Sequence, residues 1–120
     1  MMKQKIAVFA SGAGSNAQKI IDHFKASEIA EVSLIACNKA GAGVLAIAGR
    51  EQIEQVLIEK EQYKKDGYAA FLQEKGIDFV VLAGFLLKIP QPLIDAYPRK
   101  IVNIHPALLP NYGGKGMYGA

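Results

Sequence analysis

Two polar side chains one residue apart, Asn103 and His105, stand at the end of an apolar run and are suited to act together. Lys100 to His105 reads as a short buried strand in which Ile101, Val102 and Ile104 are β-branched, and strand alternation puts Asn103 and His105 on one face. Pro106 has no backbone N–H and ends the ladder, which leaves His105 at the strand's carboxyl end, the edge where open α/β sheets bind ligands. A carboxamide can donate to an oxyanion, and a neighbouring imidazole can supply or accept a proton near neutral pH. The pair therefore suits acyl transfer through a tetrahedral intermediate. No Ser or Cys is obviously placed beside it as a nucleophile, so direct transfer between two bound substrates is expected. The plainer alternative is a His that bonds a backbone carbonyl and an Asn satisfied in a loop.

A second chemical feature lies near the start of the chain. The run Ser11-Gly12-Ala13-Gly14-Ser15-Asn16 follows an apolar strand and leads straight into a helix, an arrangement that aims free N–H groups and the positive end of the helix dipole at an anion. Gly12 and Gly14 allow a tight turn and a close approach to phosphate, and Ser15 or Asn16 is expected as the N-cap or as a side-chain donor. The same residues would also serve as a turn and cap with no ligand. Gly12-x-Gly14-x-x-Ala17 fits the dinucleotide fingerprint as well, but the place of its ribose-binding acid holds Cys37-Asn38-Lys39. Lys39 could meet the extra phosphate of NADP, so an NADP-dependent oxidoreductase fragment or a non-catalytic nucleotide-binding fragment stays open as an alternative. A monophosphate on Gly14, Ser15 and Asn16 is the more economical reading. Further on, Gly84 breaks an apolar strand, and Leu86 to Ile89 read either as the lining of a slot for a flat heterocycle or as core packing beneath a loop.

The elements that must position these groups alternate along the chain. Strands are expected at Lys5–Ala10, Val32–Asn38, Gln55–Ile58, Asp78–Ala83 and Ile101–His105, and helices at Ser15–Ala26, Ala42–Ile53, Glu61–Lys75 and Pro92–Ala96. Runs such as Phe79-Val80-Val81-Leu82 are apolar on both faces, which implies a parallel sheet covered by helices on each side, an α/β Rossmann-like doubly wound fold with order 3-2-1-4-5. Asn111 to Ala120, with four glycines and no periodicity, is expected as a loop. With 120 residues, 51% of them hydrophobic, the chain suits one domain over residues 1–120. Fourteen Lys and Arg against eleven Asp and Glu form no basic block, which disfavours nucleic-acid binding. No membrane span or signal peptide is expected, and the location expected is cytoplasmic. One Cys and two distant His give no metal-ligand spacing, so no metal is expected, and Cys37 reads as a small buried residue. His23 reads as a solvated helix residue, and Tyr63, Tyr68 and Phe71 as helix-to-sheet packing.

Three motifs carry a family resemblance: Phe9-Ala-Ser-Gly-Ala-Gly-Ser-Asn16, Val81-Leu-Ala-Gly-Phe85 and Asn103-Ile-His-Pro-Ala-Leu-Leu-Pro110. In this order and spacing the chain resembles phosphoribosylglycinamide formyltransferase, a folate-dependent family of purine synthesis. The Asn-x-His-Pro segment alone is similar to the wider formyltransferase group, including methionyl-tRNA formyltransferase and formyltetrahydrofolate deformylase, and the Gly-Ser-Asn turn selects the glycinamide branch. The resemblance implies attack of the amine of 5'-phosphoribosylglycinamide on the formyl carbon of 10-formyltetrahydrofolate, the formyl donor. It implies that Gly14, Ser15, Asn16 and Gln18 hold the phosphate, that Leu86, Leu87, Lys88 and Ile89 border the folate, that Asn103 touches folate and stabilises the oxyanion, and that His105 moves the proton. The partners it implies are these two small molecules, with a homodimer left open. Family members continue further and carry an Asp that orients the His, so the chain is expected to be the N-terminal portion of a longer unit. The resemblance assigns no role to Lys115, Tyr118 or Glu59 to Lys65.

Overall fold

The computed structural model describes residues 3–64, 67–104 and 117–118. The strands are β1 (Gln4–Ala10), β2 (Ala30–Cys37), β3 (Glu54–Leu57), β4 (Phe79–Ala83), β5 (Ile101–Ile104) and β6 (Met117–Tyr118). The helices are α1 (Ser15–Phe24), α2 (Gly43–Arg50), α3 (Lys60–Tyr63), α4 (Gly67–Glu74) and α5 (Gln91–Ala96). The sheet order is β3-β2-β1-β4-β5-β6, with the first five strands mutually parallel. This is the doubly wound α/β topology that the alternating pattern predicts.

Two differences have physical causes. The expected helix over Glu61–Lys75 is two helices, with Gly67 opening the second. Glycine is a poor interior residue, and the polar residues before it offer no apolar stripe to carry one helix through. The expected terminal loop contains β6, paired antiparallel with β5 through Tyr118 opposite Ile101 and Met117 opposite Val102.

Strand alternation divides the core between two faces. Ile6, Val8, Ala10, Ile35 and Cys37 pack with Ala17 and Ile21 of α1 and Val44 and Ala48 of α2. Ala7, Phe9, Leu34, Ala36, Val80 and Leu82 pack with Tyr63 of α3, Leu72 of α4 and Leu93 of α5. Connections from β1 and β2 thus run over one face, and those from β3 and β4 over the other. The chain reverses its winding between β1 and β4, and the carboxyl edge at such a reversal is where open α/β sheets form their ligand crevice. Phe9 is fully buried beside it, with its ring 5.3 Å from Phe85 and 6.3 Å from Tyr68, both edge-on.

Candidate functional site

The turn after β1 is shaped by one residue in a left-handed conformation. Gly14 has φ 89° and is itself the N-cap of α1, so Ser15 and Asn16 are the first two helical residues and neither is the cap that the sequence suggests. No side chain caps this end. A Cβ on Gly14 would lie 2.8 Å from the Cα of Val44, and one on Gly43 would lie 2.8 Å from the carbonyl oxygen of Ala13. The turn and the start of α2 are therefore interlocked by two missing methyl groups, and the Val44 N–H donates to the Gly12 carbonyl at 3.2 Å. Gly12, Ala13 and Ser15 are exposed, with the helix end open above them.

Gln18 begins the second turn of α1, and its side chain is held elsewhere. Its amide donates to Asp22 at 2.9 Å and Glu51 at 3.0 Å and accepts from Arg50, which binds α1 to the far end of α2. The hydrogen bond from Gln18, and then Lys25 at 3.0 Å, hold the Glu51 carboxyl below its ordinary value, and Glu51 in turn raises Lys25.

The loop after β4 leaves the sheet through Gly84 at φ 71°. Leu86, Leu87, Lys88 and Ile89 line one pocket of about 490 Å³, closed by Tyr63 and Ile94 and bordered by Lys60 and Lys64. Leu86 is 71% exposed at its mouth and Ile89 is buried at its base. The walls are mostly apolar and the rim carries three lysines, which favours a flat apolar body with an anionic end. Tyr63 closes the inner side; burial and then the neighbouring Tyr68 push its phenol well above the usual range, so it stays neutral.

One serine joins the two regions. Ser11, 1% exposed, donates its hydroxyl to Asn38 Oδ1 at 2.5 Å and accepts the Leu86 N–H at 2.9 Å. It follows β1, while Asn38 follows β2 and Leu86 follows β4, so the bond to Leu86 crosses the winding reversal and the bond to Asn38 stays on the β2 side of it. Sequence reasoning assigned Ser11 only to the turn; a hydroxyl directly after the apolar run Ile6–Ala10 and before a glycine pair is the signal that it needs an internal partner.

Asn103 lies on β5 beside Leu82 of β4, and Leu82 lies beside Phe9 of β1. Residues in register on parallel strands share a face, so Asn103, partly buried, stands on the face of α3, α4 and α5, the side of the pocket. The turn of Gly14 leads to the opposite face, and both meet at the carboxyl edge. His105 lies outside the described residues.

The formyl transferase family model matches residues 4–120. The phosphoribosylglycinamide formyltransferase of Arabidopsis thaliana chloroplasts is 40% identical over 98% of this chain and 42% of its own length. That of Haemophilus influenzae is 36% identical over 96% of this chain and 57% of its own. Among solved structures, glycinamide ribonucleotide transformylase 1 of Geobacillus kaustophilus superimposes with a TM-score of 0.79 at 38% identity, over 95% of this chain and 64% of that one. The chain spans about half the length of the curated relatives it matches. Sheet order, the glycine-shaped turn and the match over nearly every residue agree: the chain belongs to the formyl transferase family.

Proposed function

We propose that the whole protein transfers a formyl group from 10-formyltetrahydrofolate to the amine of 5'-phosphoribosylglycinamide, in de novo purine biosynthesis. The observation that carries this reading is the placement of an uncapped, glycine-shaped helix end and a lysine-rimmed apolar pocket at the carboxyl edge of one sheet, on either side of its winding reversal. One ligand needs a phosphate seat and the other a slot for a heterocycle with a carboxylate tail.

In this reading Gly14, Ser15 and Asn16 hold the phosphate through their backbone N–H groups and short polar side chains. Gln18 acts indirectly by fixing α1 against α2. Leu86, Leu87, Lys88 and Ile89 border the folate with Asn103 beside them. The amine attacks the formyl carbon, the Asn103 amide donates to the oxyanion, and His105 moves the proton that lets the folate nitrogen leave. The NADP alternative finds no support among the named relatives, which are formyltransferases.

The test is formyl transfer by the full-length protein with both substrates, followed by release of tetrahydrofolate. Transfer to the phosphorylated amine, and none to the same amine without its phosphate, is expected. A folded protein that transfers to neither overturns the proposal.

A further inference from the structure

We infer that Ser11 is a positioning residue for the formyl donor, acting through the Leu86 amide with its own hydroxyl oriented by Asn38. The inference rests on the function proposed above. Leu86 opens the run that lines the pocket and its side chain is largely exposed, so packing does little to fix it. What fixes its backbone is the 2.9 Å bond from its N–H to Ser11 Oγ.

Ser11 can hold Leu86 because its environment leaves the hydroxyl one arrangement. A serine hydroxyl has one proton and two lone pairs. The proton goes to Asn38 Oδ1 at 2.5 Å, which turns a lone pair toward the Leu86 N–H. The side chain is 1% exposed, so solvent offers little competition for either bond. The turn that Ser11 begins carries the proposed phosphate seat, yet its hydroxyl reaches the other side of the crevice. Losing that hydroxyl should therefore alter the donor's site and leave the phosphate seat in place.

The test compares Ser11→Ala, Asn38→Ala and Asn38→Asp with the parent in the full-length protein. Ser11→Ala and Asn38→Ala are expected to raise the donor KM about tenfold, the effect of one lost buried hydrogen bond, with the KM of the phosphorylated amine within about twofold. Hydrogen exchange at the Leu86 amide should accelerate about tenfold in both variants. In Asn38→Asp, which keeps an acceptor for the hydroxyl, that amide should exchange at the parent rate. An unchanged donor KM, or an equal rise in both KM values, overturns the inference. If Ser11→Ala fails to fold, the partly exposed Asn38→Ala variant decides the same point. Should the parent show no formyl transfer, the proposed function fails by itself, while the exchange rate of Leu86 still supports or refutes the hydrogen-bonded link.

Discussion

Asn103 presents a neutral amide one residue before the end of β5, on the pocket side of the sheet. If it stabilises the oxyanion, Asn103→Ala lowers kcat of the full-length protein by about two to three orders of magnitude, the usual effect of losing one such donor. Asn103→Asp keeps the shape but turns an acceptor toward developing negative charge, so it should be at least as damaging. An Asp variant with near-parent kcat would exclude the role. At this scale, the positions of Gly14 and Leu86 to Ile89 were legible because local motifs fix them: a glycine pair before a helix and an apolar run after a strand-breaking glycine. The partners of Gln18 and Ser11 were not. Arg50 lies 32 residues from Gln18 and Leu86 lies 75 residues from Ser11, and no local pattern pairs side chains across such separations.

Helices α1 and α2 are joined at both ends, by the glycine interlock near the crevice and by the Gln18–Glu51–Lys25 cluster at the far end. Gly43→Ala would push a methyl group against the Ala13 carbonyl. Overpacking of about 1–3 kcal/mol there should raise the KM of the phosphorylated amine by roughly an order of magnitude and leave the donor KM unchanged, as steady-state kinetics would show. The far end gives a pH dependence. Glu51 is held below its ordinary 4.5, so the folded state favours its charged form. Its stabilisation is complete above the ordinary value and disappears as pH falls through the lowered one. The thermal midpoint of the parent should exceed that of Glu51→Gln near neutrality, and the gap should close in acid. A gap that persists there would assign the effect to packing. The sequence led to the right helices on this face, with α2 ending at Arg50 instead of Ile53. It merged α3 and α4 because apolar periodicity alone does not register the local cost of Gly67.

Over the whole molecule, burial of tyrosines leads us to expect loss of stability in strong alkali. Desolvation pushes Tyr68 and Tyr97 up to about 12, and Tyr63 further still, from an ordinary 10.0. The Tyr97 hydroxyl also donates to the Ile77 carbonyl at 2.9 Å. The folded state thus favours three neutral phenols while the unfolded chain ionises them, so their stabilisation is complete below pH 10 and lost as pH rises through the raised values. Tyrosinate absorbance of these three should appear together with loss of circular dichroism, and Phe substitution at each position should remove its share. Ionisation near 10 with the fold intact would contradict the burial. The global order of the first five strands was legible because apolar runs alternating with helix-length segments, together with right-handed crossovers, leave few topologies. β6 escaped notice because two residues in a glycine-rich stretch carry no period. The same order has a consequence during synthesis: β1 is made first but lies between β2 and β4, and Val8 must wait for Val81. From the time β2 forms until residues 79–83 leave the ribosome, one flank of β1 has unpaired backbone groups. A translational pause in that interval leaves the nascent chain adhesive along β1, and this is where a chaperone would have most to shield.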